Sequence, residues 1–142
     1  MTTKREQILA ALFDYLTSAM PMAKVLRNPA LSDLIDGKAM GLLDGGIELV
    51  EEFINGSIYE WTMIPTISIV FEKVEDDVDG KVDAQIDLLD IVIAAAGDLN
   101  GLVTRIEVRA AELAVQEIWG SADIKGASLP IEIDYWSDRP VG

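Results

Sequence analysis

The chain lacks the two residue types that carry much of protein chemistry, cysteine and histidine. Without cysteine there is no disulfide, no thiolate metal site and no cysteine nucleophile. Without histidine, the commonest general base and the commonest metal ligand are both missing. These absences favour a protein that works by contact rather than by catalysis.

Basic residues are scarce as well. Eleven Lys and Arg stand against 25 Asp and Glu, which gives a formal net charge of −14. Proteins that bind DNA or RNA regardless of sequence need a basic surface to neutralise phosphates, and docking on an anionic membrane needs one too. The charge therefore argues against both, although it suits a surface that nucleic acid must pass without sticking. No secretory signal is visible, and the longest apolar run, 91–96, is far too short to cross a bilayer.

Nucleotide and hydrolase motifs are missing too. The glycines between 37 and 46 fit neither nucleotide-binding fingerprint, and there is no G-x-S-x-G or S-x-x-K spacing. The carboxylates stand in runs that we expect to be solvated, with nothing to raise one pKa above another. We therefore predict that the chain is not an enzyme and uses no cofactor.

The acidic segment that begins at Glu75 has a spacing that can be compared with a calcium-binding loop. Aligned on the EF-hand loop, Glu75, Asp77 and Asp79 occupy the first three ligand positions, but the first should be Asp. The twelfth position, which should be a bidentate Glu, is Ile86. We therefore predict no metal site. The segment is instead expected to be a solvated acidic loop, formed by Glu75, Asp76, Asp77 and Asp79, that leads into a helix beginning near Ala84.

The most informative feature present is an alternation of fourteen residues, Tyr59 to Glu72. The odd positions are all apolar, which predicts a strand with one fully apolar face. Fully extended, it would reach roughly 46 Å at ~3.3 Å per residue. A chain of this size folds to a diameter of roughly 37 Å. The strand must therefore bend or project, and Pro65 is the expected place for a bend or an edge.

Asn55-Gly56, just before this strand, predicts a tight β-hairpin. A two-residue turn there would place Glu51 opposite Glu60, Glu52 opposite Tyr59 and Val50 opposite Trp61. Near the tip, both faces carry large apolar groups, which indicates a partner surface or a second layer within the monomer. The predicted interface residues are Phe53, Ile54, Ile58, Tyr59 and Trp61.

The remaining elements complete an α+β pattern in a single domain, residues 1–142. Thr3 and Glu6 have capping-box spacing and open a helix to about Ala19. A second helix follows, roughly 84–96, in which Ile86, Leu89, Ile93 and Ala96 are expected to form a buried stripe that Leu88, Ile91 and Val92 widen. The closing strand is 127–136, while 110–118 fits helix or strand equally well. We predict a mostly antiparallel sheet with a long β-hairpin and two or three helices packed on one face.

In this order, the elements resemble a known family. The resemblance spans nearly the whole chain and rests on the helix 5–16, Val25-Leu26-Arg27-Asn28, Leu43-Asp44-Gly45-Gly46, the strand 67–71, the helix 86–96 and the ending 127–135. With these features the chain resembles the tail terminator, or minor tail (tail-completion), proteins of long-tailed phages and phage-like gene transfer particles. Pro130, inside the last strand, departs from the family pattern, as does the acidic segment.

The resemblance implies a virion subunit that forms a ring, expected to be hexameric, which ends the tail tube and joins it to the head connector. Its partners would be copies of itself, the tube protein and the connector protein, with DNA only as passing cargo and no membrane. It would lie in the tail or neck of the virion and, during assembly, in the host cytoplasm. The acidic segment would line the lumen or stay solvated. Two alternatives remain: another head–tail connector or neck ring protein, and a small non-enzymatic peptide-binding module that uses the apolar hairpin.

Overall fold

The computed structural model describes residues 2–21, 24–29, 39–52, 58–72, 78–116 and 124–142. In these residues the chain forms two helices, α1 (Lys4–Ala19) and α2 (Val78–Ala94). It also forms eight strands: β1 (Lys24–Arg27), β2 (Ala39–Leu43), β3 (Ile47–Glu52), β4 (Tyr59–Met63), β5 (Thr66–Glu72), β6 (Arg105–Val108), β7 (Glu112–Gln116) and β8 (Ile124–Ser137). The strands make one sheet in the order β1-β2-β5-β8-β4-β3, with β6 and β7 also paired to β8. All pairs are antiparallel except β1–β2, so the predicted α+β class is confirmed.

Helix α1 begins where the sequence predicts. The Thr3 hydroxyl accepts a hydrogen bond from the Glu6 backbone N–H at 3.2 Å, which satisfies one of the free donors of the first turn. The Glu6 side chain does not return to the cap. It accepts hydrogen bonds from both terminal nitrogens of Arg27 on β1, and Arg27 also reaches Asp44. The Arg27 bonds hold the pKa of Glu6 below its usual value and tie α1 to the sheet.

Helix α2 begins at Val78, earlier than the predicted start near Ala84. The reason is Val82, which is buried and extends the apolar stripe that continues at Leu89. Burying such a side chain stabilises by about 1.5–3 kcal/mol. That gain exceeds the cost of about 1 kcal/mol for Gly80 inside the helix.

The long alternating strand is confirmed. β4 and β5 follow one another with a break at 64–65, and both pair with β8 in a single register, from Tyr59 opposite Ser137 to Glu72 opposite Ile124. At the break, the Pro65 carbonyl still accepts a hydrogen bond from the Ile131 N–H at 2.8 Å. The predicted interruption at Pro65 therefore leaves the pairing intact, because the partner strand bridges it.

Pro130 is tolerated inside β8 for a related reason. Its carbonyl accepts a hydrogen bond from the Arg109 N–H at 2.9 Å. The nitrogen and carbonyl of a strand residue point to the same side, so the Pro130 nitrogen faces the short gap between β6 and β7. No strand there requires a donor.

The Asp44-Gly45-Gly46 segment is a bulge, with three residues opposite the two at 64–65. It joins β2 to β3, which pair in succession with β5 and β4 on the same side. Gly45 has a φ of +67°, and a Cβ there would stand 2.0 Å from the Ile64 carbonyl oxygen. Only glycine fits this position, because the two backbones approach so closely.

The core lies between the helices and one face of the sheet. Both helices and the odd-numbered residues of β4, β5 and β8 contribute to one cluster, as the alternation predicts. The Tyr15 hydroxyl donates to the Val92 carbonyl at 2.6 Å and links the two helices. The largest fully buried side chains are Tyr135, Ile8, Leu9, Leu12, Leu16, Leu42, Met63, Ile67, Leu89, Ile93, Leu129 and Ile131.

Candidate functional site

The β3–β4 hairpin has the predicted register at its outer end. Glu51 pairs with Glu60 and Glu52 with Tyr59. Trp61, however, pairs with Leu49 and not with Val50, because a β-bulge falls between Leu49 and Glu51. The register predicted from the turn does not include this extra residue of β3, because the turn sequence carries no information about a bulge further along the strand.

The five predicted interface residues separate into three groups. Ile58 is exposed and Tyr59 is half-buried, so both are accessible at the hairpin. Trp61 is buried beside Tyr135 and Gly142, so it belongs to the core and not, as predicted, to an accessible interface. Phe53 and Ile54 lie outside the described residues.

The sequence analysis missed two exposed apolar residues of this surface, Leu49 and Val50. With Ile58 they are between 43% and 55% exposed. We call Leu49, Val50 and Ile58 the hairpin patch. Val50 occupies the bulge, while Leu49 points to the core side beyond the reach of the helices. In the sequence, the alternation of apolar and polar residues breaks within Ile47–Glu52. That break was the available signal that Leu49 and Val50 do not both face the core.

Carboxylates surround the hairpin patch. Glu48, Glu51 and Glu52 are exposed and Glu60 is half-buried. Residues 47–52 and 58–63 contain no lysine or arginine. The hairpin therefore presents an apolar centre with an acidic rim, which is the composition of a contact surface.

Part of the predicted acidic loop is helical. Asp79 lies in the first turn of α2, so its assignment to a loop is wrong, because Val82 draws the helix start forward. The other members, Glu75, Asp76 and Asp77, lie outside the described residues.

Helix α2 carries a second exposed apolar surface. Leu88 and Ile91, predicted to widen the buried stripe, are 45% and 59% exposed. With Ala84 and Ala95, which are also exposed, they form the α2 seam at helical spacing. Val92, predicted together with them, is buried as expected, so the seam faces away from the core. Exposed aspartates flank it at Asp83, Asp87 and Asp90.

A cationic pocket lies where α1 begins and β8 ends. It measures about 330 Å³ and is lined by Thr2, Lys4, Gln7, Trp136, Ser137, Asp138 and Arg139. Trp136 is 41% exposed. The Ser137 hydroxyl donates to the Arg139 carbonyl and accepts from its N–H, both at 3.0 Å, which holds the pocket wall in place. The pocket unites residues from the two ends of the chain.

Three cations concentrate charge at this pocket. Lys4 and Arg5 occupy the first turn of α1, where the helix dipole is positive and cations are disfavoured. Neither they nor Arg139 form an ion pair within the part of the chain that the structure describes. Asp138 also lines the pocket, so its lining carries two cations, Lys4 and Arg139, and one carboxylate.

The open face of the sheet is polar, and its charges around β6 are paired with one another. The Asp134 carboxylate accepts hydrogen bonds from the Thr62 hydroxyl at 2.6 Å and from Arg105 at 2.8 Å. Burial opposes ionisation of Asp134, but these bonds outweigh it and hold its pKa below the usual value. Arg105 also contacts Glu132, which binds Arg109 as well. The ion pairs of Arg105 and Arg109 thus satisfy the carboxylates of this part of the face.

Two buried polar atoms lack partners. Trp61 Nε1 donates no hydrogen bond among the described residues. The Tyr135 hydroxyl neither donates nor accepts one there. Burial raises the pKa of Tyr135, as expected for a phenol whose charged form would be poorly solvated. Both atoms lie in the core near Gly142. No group of three or more acidic residues placed to hold a metal ion occurs in the described ranges.

Neither described helix is long and apolar enough to span a bilayer. Comparison with protein-family models and with curated proteins found no match to this chain.

Proposed function

We propose that the chain is a non-enzymatic structural subunit that associates with copies of itself into a closed ring. The observation that carries this proposal is the hairpin patch: Leu49, Val50 and Ile58 are each 43–55% exposed on the β3–β4 hairpin, with Leu49 on the core side and Ile58 on the open side. Apolar side chains exposed on both faces of one hairpin favour a partner that contacts both faces.

The resemblance to tail terminator proteins supplies the biological setting of the proposal. The ring would end the tail tube, join it to the head–tail connector and let DNA pass as cargo. The net charge of −14 supports this role, because an acidic lumen discourages adhesion of DNA. A hexamer is the ring size that the resemblance implies.

The alternative, a module that binds a peptide by adding a strand to the sheet, receives less support. β3 ends the strand order, so its outer edge is open among the described strands. That edge carries a bulge and three exposed glutamates, features that discourage strand addition. Side-chain docking of the hairpin patch is therefore favoured over pairing of its backbone.

Solution mass and negative-stain images of the purified protein, from about 1 to about 100 µM, test the proposal. We expect ring particles for the native chain. The triple variant Leu49→Ser, Val50→Ser, Ile58→Ser should remain folded and lose association by at least about a hundredfold, since truncated contacts at an interface centre cost ~1 kcal/mol or more each.

The matched control removes apolar surface elsewhere. Leu88→Ser with Ile91→Ser truncates the α2 seam and should keep the rings. Circular dichroism and the thermal midpoint verify the fold of both variants. A monomeric mass for the native chain at every concentration would contradict the proposal, as would rings that persist in the hairpin variant.

A further inference from the structure

Helix α2 carries large apolar side chains on two sides. Val82, Leu89 and Ile93 are buried in the core, whereas Leu88 and Ile91 are 45% and 59% exposed. A surface helix needs only one apolar stripe to cover its own core, and its opposite face is usually polar. The α2 seam is therefore apolar area that the fold of the monomer leaves uncovered.

The spacing of the α2 seam is that of a helix–helix contact. Ala84, Leu88, Ile91 and Ala95 follow one another at intervals of four, three and four residues. This is the interval at which apolar side chains of two paired helices interdigitate in a coiled coil. At ~1.5 Å per residue the seam is about 16 Å long. It therefore offers a second helix a contact of about three turns.

Carboxylates without partners stand along one flank of the seam. Asp83, Asp87 and Asp90 are exposed, and none of them forms an ion pair within the part of the chain that the structure describes. On the open face of the sheet, by contrast, Glu132 and Asp134 are paired with arginines. The seam thus combines uncovered apolar area with unpaired negative charge.

The charge of α2 itself does not offset these carboxylates. The helix contains four aspartates and one lysine, Lys81. Lys81 and Gln85 lie on the flank opposite Asp83, Asp87 and Asp90, because they stand on the other side of the seam in the helical projection. The acidic flank therefore selects for positive charge on whatever covers the seam.

A groove beside the acidic flank gives long cationic side chains room. It measures about 540 Å³, lies between α2 and the link from β6 to β7, and includes all three aspartates in its lining. The far wall presents Val108, Ala110 and Ala111, whose side chains are short. Arg109 also lines it, but its Nε already donates to Glu132 at 3.0 Å. Lysine and arginine can lay their apolar stems on such a wall while the charged end meets a carboxylate.

A second copy of this chain is a poor occupant of the seam. The exposed apolar surfaces that it could bring are the hairpin patch, which is bordered by glutamates, and its own α2 seam, which is bordered by aspartates. Either would set like charges against each other across the contact, which is unfavourable. A helix with an apolar stripe and basic flanks satisfies both the apolar area and the charge.

We propose that the α2 seam binds a basic amphipathic helix of a different protein. The apolar side chains of that helix pack on Leu88 and Ile91, and its lysines or arginines pair with Asp83, Asp87 and Asp90. The contact uses a different surface from the hairpin patch and a different partner, so it does not rest on the proposed ring.

A synthetic peptide serves as the probe. It has about eighteen residues, long enough to become helical on binding, with leucines at alternating intervals of four and three and lysines on both flanks. Labelled and titrated with the native chain in ~0.05 M salt, it should bind with a Kd below about 0.1 mM. A peptide of the same composition in scrambled order keeps the charge but loses the apolar stripe, so it should bind at least about tenfold more weakly.

Two variants of the chain test the two parts of the contact. Leu88→Ser with Ile91→Ser removes the apolar part, and Asp87→Lys with Asp90→Lys reverses the charge of the flank. Each should weaken binding of the ordered peptide at least about tenfold. The matched control Glu51→Lys with Glu52→Lys changes net charge by the same amount on the hairpin and should leave peptide binding unchanged. Circular dichroism verifies the fold of all three variants.

The contrary outcomes are distinct. Equal binding of the ordered and scrambled peptides, or an equal loss in the hairpin control, would mean adhesion to negative charge in general and would overturn the proposal. So would a native chain that does not bind the ordered peptide. Loss of self-association in the Leu88→Ser, Ile91→Ser variant would assign the seam to a second copy of this chain and overturn the proposal as well.

Discussion

The helix-covered face and the open face of the sheet are made by the same strands but are stabilised in different ways. On the covered face, Ile67, Leu129 and Ile133 are fully buried and contribute through apolar burial. On the open face, Thr62, Asp134 and Arg105 form hydrogen bonds and ion pairs in contact with water. Burial is worth kilocalories per side chain, whereas exposed ion pairs are worth ~1 kcal/mol or less.

The difference also bears on function. The helices occupy the covered face, and ion pairs of Arg105 and Arg109 satisfy the carboxylates of the open face around β6. Exposed apolar side chains remain on the hairpin patch and on the α2 seam. The proposed ring would use the hairpin patch as one of its contacts.

The largest effect is expected on the covered face. Leu129→Ala should lower the free energy of unfolding by about 2–5 kcal/mol, because it removes a fully buried side chain and leaves a cavity. Its neighbour Ser128 points to the open face, so Ser128→Ala should change stability by less than about 0.5 kcal/mol. Urea unfolding of the two variants measures the contrast. Equal losses would show that the two faces do not differ as described.

A smaller change of opposite sign is expected within the covered face. Tyr135→Phe removes a buried hydroxyl that has no partner among the described residues, and leaving such a group unsatisfied costs about 1–3 kcal/mol. The variant should therefore be more stable by ~1 kcal/mol in thermal or urea unfolding. A clear loss of stability would mean that the hydroxyl is hydrogen-bonded in solution.

The smallest effect belongs to the open face and depends on pH. Asp134→Asn should cost less than about 1 kcal/mol at neutral pH, because the ion pair is partly exposed. The pKa of Asp134 is lowered in the fold, so its contribution is present above the unfolded value near 4 and is lost as pH falls through the folded value. Unfolding curves at pH 7 and below pH 3 should show that the difference in unfolding free energy between the native chain and the variant becomes smaller in acid. A difference that grows in acid would contradict the lowered pKa of Asp134.

The regular part of the fold could be predicted because its signals are local or periodic. The alternation of Tyr59 to Glu72 predicts a long strand, and the structure confirms it with an interruption at Pro65. Asn55-Gly56 correctly predicts the pairing of Glu51 with Glu60, since a short turn determines the first pairs of a hairpin. The cap at Thr3 is equally local.

The errors share a physical cause. Each error depends on where one element packs against another. The errors concern the start of α2, the bulge at Val50 and the exposure of Leu88 and Ile91. Periodicity shows that a residue is apolar but not how far the neighbouring layer extends. Trp61 shows the reverse error: it belongs to the core because Tyr135 and Gly142 pack beside it.

The sequence by itself determined the α+β class, the alternating strands and the acidic, cysteine-free and histidine-free chemistry, because these follow from composition and from spacing along the chain. Only the tertiary structure decided which apolar residues stay exposed and brought Lys4 beside Trp136 and Arg139. Those residues are separated by nearly the whole chain, and no local pattern encodes their meeting. Packing of α1 against the end of β8 creates the pocket, so this pocket is a property of the fold.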